Sequence, residues 1–114
     1  MNISSPTTDA TNNFTDATAS TSVAAAAVVT LPSTSNSLVV TDPSGPTTIN
    51  EIVNSRPGRI VSLLFNDAGT VVQDGTTIGN NIRLSSTFTV ASGDTLVLMS
   101  HGAFGWYELS RSVN

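Results

Sequence analysis

The sequence contains no cysteine and no lysine, and no positively charged residue precedes Arg56. Without cysteine, the chain can form neither a disulfide framework nor a thiolate metal site. Eight acidic residues outnumber four scattered arginines, which gives a net charge of −4. Nucleic-acid binding needs clustered cations that displace counterions, so this charge pattern argues against a nucleic-acid partner. The longest apolar run, residues 23–29, is far shorter than the ~20 residues that span a bilayer, so no membrane partner is predicted.

Charged residues of both signs are also scarce. They make up 11% of the chain, against about 25% in ordinary soluble domains. Strand edges are usually protected by lysine, so in this chain they must be paired or covered by something else. A chain of 114 residues has room for one domain with a small core. Both properties favour an oligomer, in which neighbouring subunits cover the edges.

Residues 1–37 are predicted to form an extended N-terminal arm. Residues 1–22 are mostly Thr, Ser, Asn and Ala, with Phe14 as their only aromatic, a composition that does not build a core. In residues 22–30 the alanines favour a helix, whereas the valine pairs and Pro32 favour extended chain, and a strand is the preferred interpretation. The arm residues expected to contact a partner protein are Phe14, Val23, Val28, Val29 and Leu31.

Residues 38–114 are predicted to form a β-rich trimerisation domain. Short strand signals alternate with turns of Gly, Asp and Asn, among them a turn at residues 66–69 in which Gly69 suits a positive φ. Residues 60–65 are a nearly continuous apolar run, which predicts a strand that is buried on both faces. Trp106 and Tyr107 are adjacent, so on a strand one should pack inward and the other should lie at a surface or subunit contact.

Together these patterns predict an all-β fold with an extended N-terminal arm. The domain is expected to be a small jelly roll or sandwich, or an intertwined β-prism. Four apolar residues also recur at intervals of eleven, namely Ile49, Ile60, Val71 and Ile82. That spacing fits the strands of a sandwich or barrel, or the rungs of a β-helix. The residues expected in core or trimer contacts are Ile60, Leu63, Phe65, Ile82, Leu84, Leu96, Leu98, Trp106 and Tyr107.

No group of residues in the sequence has the pattern of a catalytic or metal site. His101 is the only histidine, so neither a zinc set nor a Cys-His dyad can form, and no Gly-x-Ser-x-Gly elbow is present. Asp67, Asp74 and Asp94 could act as paired carboxylates or bind calcium, but each lies in a turn beside Gly or Asn, where Asp commonly bonds the backbone. We therefore predict no catalytic residue, no metal, no cofactor and no enzymatic activity.

Four segments of the C-terminal half carry a resemblance to known proteins. They are Gly58-Arg59-Ile60-Val61-Ser62-Leu63, Gly79-Asn80-Asn81-Ile82-Arg83-Leu84, Gly93-Asp94-Thr95-Leu96-Val97-Leu98 and the closing Gly105-Trp106-Tyr107-Glu108-Leu109-Ser110-Arg111-Ser112. In their order and spacing these segments resemble modules of bacteriophage virion proteins, found on tail fibres, spikes and small head proteins. The resemblance covers residues 58–112.

This resemblance implies a trimeric, β-rich module without catalytic residues. Only a short arm precedes the module, so a capsid decoration (cement) protein fits better than a fibre, which carries a long shaft or an enzymatic domain. The expected function is to stabilise a phage head by binding the major capsid protein as a homotrimer, on the capsid surface of a virion made in the host cytoplasm. The alternative is a receptor- or glycan-binding tip of a tail fibre or spike, which would use Trp106, Tyr107 or Arg83.

Overall fold

The computed structural model describes residues 21–75 and 81–114. Strands dominate this part of the chain, joined by turns and one 3-10 turn at Gly102–Phe104, so the prediction of an all-β fold is confirmed. The strands are β1 Thr21–Ala24, β2 Val28–Thr30, β3 Ser37–Thr41, β4 Thr48–Ile49, β5 Glu51–Val53, β6 Ile60–Phe65, β7 Val71–Val72, β8 Ile82–Arg83, β9 Phe88–Thr89, β10 Thr95–Ser100 and β11 Trp106–Ser112.

The strands form three sheets that share one core. The largest sheet has the order β1-β3-β6-β10-β11-β8, and the smaller sheets have the orders β2-β5 and β4-β7-β9. Buried apolar side chains from all three sheets pack in a single cluster, with Trp106 and Phe65 as its largest fully buried members. The three-sheet arrangement is nearer to a prism formed within one chain than to a jelly roll, which is antiparallel throughout.

Parallel pairing arises because the chain winds in successive coils. Val28 of β2 pairs with Glu51 of β5, and Thr48 of β4 pairs with Val71 of β7, so both pairs are offset by 23 residues (51 − 28 and 71 − 48). Each coil therefore lies on the next, as rungs do in a β-helix. The predicted eleven-residue interval is not the register of these coils, since Ile49 pairs with Val72.

Residues 21–37, which the sequence analysis assigned to the arm, belong to the same folded unit. β1 pairs in parallel with β3 and β2 pairs in parallel with β5. Val29 and Leu31 are 5% and 1% exposed, whereas Val28 and Thr30 face outward. This alternation is the period-two pattern of a half-buried strand, and it begins directly after the run of alanines that made the segment ambiguous.

Two glycines have the backbone conformations that the turns require. Gly69 has a φ of 97°, which confirms the predicted turn, and its N–H donates to the carbonyl oxygen of Val90. Gly105 has a φ of 98°, and a Cβ there would collide with the carbonyl oxygen of Asn81. A side chain at Gly105 would thus push apart the contact between β11 and the segment before β8.

Candidate functional site

The six-stranded sheet has one buried face and one outward face, on which apolar and hydroxyl side chains are mixed. Along β6 the side chains alternate between buried and exposed, with Val61 0% and Phe65 0% exposed but Ile60 47% and Leu64 41% exposed. The prediction that residues 60–65 are buried on both faces is therefore wrong for the isolated chain. The apolar run is continuous because both faces of β6 carry apolar side chains.

The register aligns these outward side chains in three rows across the strands. We call this set the outer face, and all of its members are exposed or half-buried. The first row is Tyr107, Met99 and Ile60; the second is Ser110, Val97, Ser62 and Ser37; the third is Ser112, Thr95, Leu64, Val39 and Ser22.

None of the twelve side chains of the outer face is charged. The nearest charge in the register is Arg83 of β8, which pairs with Tyr107 at the border of the face. The guanidinium of Arg83 donates a hydrogen bond to the carbonyl oxygen of Gly75, which directs it toward the chain's own backbone. The outer face is therefore an uncharged surface of aliphatic, hydroxyl and one aromatic side chain.

A β-bulge in β11 adds one more apolar side chain to this surface. Val97 pairs with Ser110 while the next residue, Leu98, pairs with Glu108, so Leu109 is the extra residue of the bulge. Leu109 is 52% exposed. The shift keeps Tyr107 and Ser110 outward and turns Glu108 and Arg111 toward the sheet's inner side.

Three side chains form a small hollow next to the first row. His101, Phe104 and Tyr107 line a space of about 360 Å³. The rings of His101 and Tyr107 meet edge to face, with centroids 4.8 Å apart, and Phe104 is 74% exposed. Such a surface offers aromatic faces and edges to a ligand.

A cluster on the inner side of β11 fixes the Glu108 carboxylate. Arg111 donates to both oxygens of Glu108 at 2.8 Å, and the Ser85 N–H donates to Oε1 at 3.0 Å. The hydrogen bonds from Arg111, followed by those from Ser85, lower the pKa of Glu108 to about 2. The Arg111 guanidinium also lies 4.4 Å from the centroid of the Phe88 ring. The cluster ties the end of the chain to the segment between β8 and β9, which is a structural role.

The C-terminal end of the coil stack is sealed. The side-chain amide of Asn81 accepts a hydrogen bond from the Ile52 N–H at 3.0 Å and donates to the Ile52 carbonyl oxygen at 2.8 Å. The Trp106 Nε1–H donates to the same carbonyl at 3.1 Å. Together they bond the N–H and carbonyl groups on the free edge of β5 in the way that another strand would. In the other two sheets, β10 pairs with β6 and β9 pairs with β7.

The N-terminal end of the stack has no such cover among the described residues. β1 and β2 are the terminal strands of their sheets. The Leu31 N–H donates to the Val53 carbonyl of β5, so by the alternation of a parallel ladder the N–H groups of Thr30 and Val28 point away from β5. We call β1 and β2 together the open end.

Two buried polar side chains hold the turns between the coils. The Arg59 guanidinium, 5% exposed, donates to the carbonyl oxygens of Pro32, Ser35 and Asn54 and to Oδ1 of Asn36. Burial, and then the charge of Arg56, lowers the pKa of Arg59.

Asp42 plays the same structural part in the turn after β3. Asp42 is 7% exposed. Its carboxylate accepts hydrogen bonds from the Thr70 hydroxyl and from the N–H and hydroxyl of Thr47. The Thr70 hydroxyl is the main cause that lowers the pKa of Asp42. Neither Asp42 nor Arg59 was identified from the sequence, because an isolated Asp before Pro and an isolated Arg after Gly look like ordinary loop residues.

The residues predicted to dock on a partner are distributed over different environments. Phe14 lies outside the described residues. Val28 is 49% exposed on the open end, and Val23 is half-buried against the core. For Val29 and Leu31 the prediction is wrong, because both side chains are buried in the chain's own core and cannot reach a partner.

The residues predicted for core or trimer contacts divide into two groups. The core contains Leu63, Phe65, Ile82, Leu96, Leu98 and Trp106, while Leu84 packs partly buried against it. Ile60 and Tyr107 instead lie on the outer face. Trp106 is 0% exposed and Tyr107 38% exposed, which confirms that these neighbours point to opposite sides of the strand.

The acidic turn residues accept hydrogen bonds from backbone N–H groups, but only Asp94 does so within its own turn, whereas Asp67 and Asp74 bond segments elsewhere in the chain. Asp67 Oδ2 accepts from the Asp42 N–H and Asp74 Oδ1 accepts from the Leu84 N–H. Asp94 accepts from the N–H groups of Ala91 and Asn114. Within residues 21–75 and 81–114 no group of three His, Asp or Glu side chains is placed to hold a metal ion.

The comparisons with known proteins and a search for membrane spans add no assignment. No family model, curated protein or solved structure matches the chain. Among the described residues, no helix has the length and apolar character needed to cross a membrane. The outer face, the aromatic hollow and the open end are therefore the features on which a function can be argued.

Proposed function

We propose that this chain is a non-enzymatic structural protein of a phage virion, a decoration protein that binds the major capsid protein as a homotrimer. The observation that carries the proposal is an asymmetry of the coil stack: side chains cap its C-terminal end, whereas no described residue covers the outer edges of β1 and β2. The resemblance of residues 58–112 to phage virion modules supports the choice of partner.

The open end suits attachment by strand addition. An exposed strand edge presents unpaired N–H and C=O groups, which another extended chain can pair with. Proteins usually protect such edges with lysine, charge or proline, yet Thr21–Ala24 and Val28–Thr30 contain no such residue. A partner strand laid beside β2 would meet the outward N–H groups of Val28 and Thr30 and the exposed Val28 side chain.

Co-sedimentation with capsids of the encoding virus tests the proposal. The Thr30→Pro substitution removes one outward N–H without breaking the β2–β5 ladder, and Val28→Lys adds a charge at the edge. We expect both variants to fold and to bind capsids at least about tenfold more weakly, because a lost backbone pair or a buried lysine costs more than about 1.4 kcal/mol. Thr89→Lys, on an edge strand at the sealed end, is the matched control and should bind normally. Wild-type protein that stays in the supernatant with intact capsids would refute the proposal.

The aromatic hollow favours one alternative function, a receptor- or glycan-binding tip of a fibre or spike. Tyr107 and Phe104 present exposed rings in the hollow that they line with His101, and aromatic rings with a polar edge pack well against sugars. A glycan array with the wild-type chain and Tyr107→Ala separates the two functions. Binding that Tyr107→Ala removes and that open-end variants leave unchanged would favour the tip.

A further inference from the structure

We infer that the outer face is the surface through which copies of this chain contact one another. The inference rests on the proposed homotrimer and identifies the part of the molecule that forms it. The observation that carries it is the register, which gathers twelve uncharged outward side chains from five adjacent strands into three continuous rows.

The outer face combines exposed apolar side chains with small hydroxyl side chains, all of which can be buried without a charged partner. Its apolar members include Ile60 and Leu64, which are 47% and 41% exposed although they are large aliphatic side chains. Fully burying a side chain of this kind contributes favourably in proportion to its apolar area. Serines and one threonine fill the remaining positions, so the surface contains no side chain that needs a charged partner.

The outer face forms the centre of the contact and not the whole of it. Its twelve positions, at ~4.8 Å between strands and ~6.7 Å between alternate residues, give a flat footprint of about 390 Å². Crystal contacts mostly bury less than ~400 Å² per partner, and stable interfaces bury about 800 Å² per partner. The relief of the side chains and the neighbouring Leu109, which is 52% exposed, enlarge the contact beyond the flat footprint.

The charge distribution favours a second copy over a foreign protein as the occupant. Each chain has a net charge of −4, so contacts between copies that included acidic side chains would be repulsive. The described acidic residues all lie off the outer face: Asp42, Glu51, Asp67, Asp74, Asp94 and Glu108. A foreign partner is usually selected by charge complementarity, and the twelve side chains of the outer face carry no charge, the nearest in the register being Arg83 at its border.

The first test is the mass of the protein in solution, measured by light scattering. Wild-type protein should have a multiple of the chain mass of 11.7 kDa. Ser62 lies in the middle row and is exposed, so Ser62→Glu changes no core contact but places a carboxylate in the contact. We expect Ser62→Glu to raise the dissociation constant at least about 100-fold, since an unpaired buried charge is strongly unfavourable. Ser62→Ala should assemble as the wild type does, and so should Thr89→Glu, an exposed position on another sheet.

The absence of cysteine allows a second test that does not depend on destabilising the protein. Ser62→Cys introduces the only thiol of the chain, and a short bismaleimide should then link copies covalently in high yield. Thr89→Cys is the matched control and should give only the background of random collisions. Far-UV circular dichroism confirms that each variant has the β-sheet spectrum of the wild type.

The outcomes separate this inference from the proposed function. Ser62→Glu that assembles as tightly as wild type, or equal cross-linking at Ser62→Cys and Thr89→Cys, would overturn the outer face as the contact while leaving capsid binding intact. A wild-type chain that remains single at high concentration would also overturn it. A wild-type protein that assembles through the outer face but does not bind capsids refutes the proposed function and leaves this inference standing.

Discussion

The two ends of the coil stack differ in how they treat the backbone. At the C-terminal end, the Asn81 amide and the Trp106 indole bond Ile52 in place of a strand. At the N-terminal end, β1 and β2 keep their outer edges without a charged or proline residue. Within the part of the chain that the structure describes, side chains thus replace a neighbouring strand at β5, whereas the outer edges of β1 and β2 have no such replacement.

Among substitutions to alanine, the largest effect is expected at the sealed end, at Trp106. Its ring is 0% exposed, so Trp106→Ala should lower the free energy of unfolding by about 4 kcal/mol through lost burial and the cavity that remains. The neighbouring Tyr107→Ala, on the outer face, should cost less than about 1 kcal/mol in a single chain. Urea denaturation followed by circular dichroism measures both. Equal losses would show that the two residues do not face opposite sides.

A smaller loss is expected when the side-chain cap is removed. Asn81→Ala leaves the Ile52 N–H without its partner and should destabilise the fold by about 2 kcal/mol. Asn81→Asp retains an acceptor for that N–H but cannot donate to the Ile52 carbonyl, so its loss has a different origin. Hydrogen exchange at Ile52 distinguishes the two variants. Slow exchange at Ile52 in Asn81→Ala would mean that another group caps the β5 edge.

The sealed end should also be the acid-sensitive end. The pKa of Glu108 falls from 4.5 to about 2 in the folded state, so its stabilisation is present above pH 4.5 and is lost as pH falls from about 5 to 2. Solvent screening leaves roughly 2 kcal/mol of this contribution. Thermal melts between pH 7 and pH 2 should show a smaller loss in Glu108→Gln than in wild type. Part of the acid loss should remain, because hydrogen bonding also lowers the pKa of Asp42.

The smallest effect on stability is expected at the open end. Val28 is 49% exposed, so Val28→Lys should change the free energy of unfolding by less than about 0.5 kcal/mol. The same substitution at the buried neighbour, Val29→Lys, should prevent folding. Urea titrations of both variants check the difference. A large loss in Val28→Lys would mean that the edge of β2 is already covered within the chain.

The sequence was sufficient for the all-β class and for the opposite orientation of Trp106 and Tyr107, because both follow from local alternation. It was insufficient to show that residues 21–37 belong to the folded unit. The alanines between β1 and β2 show no alternation of apolar and polar residues, and the position of this segment depends on parallel pairing with distant strands. The prediction for β6 was wrong, because a nearly continuous apolar run indicates burial on both faces, whereas one face of this strand is exposed.

The polar residues that hold the structure were the least predictable part. Asn81, Arg59 and Asp42 each bond segments more than twenty residues away in sequence. A single sequence contains no signal for such contacts, since their geometry exists only once the coils are stacked. The aromatic hollow and the outer face are likewise products of register, and only their individual side chains could be named in advance.

The offsets between stacked parallel strands, 23 residues in the two smaller sheets and 17 and 25 residues in the large sheet (38 − 21 and 62 − 37), have a consequence for how this chain can vary in length. A duplicated coil in the middle of the stack would add one strand to each sheet, and the turns would take up the differences in offset. The sealed end and the open end would both keep their neighbours, and only the distance between them would grow. A residue inserted within a strand would instead turn the following side chains to the opposite face, so the chain is expected to tolerate added coils or longer turns better than residues added inside a strand.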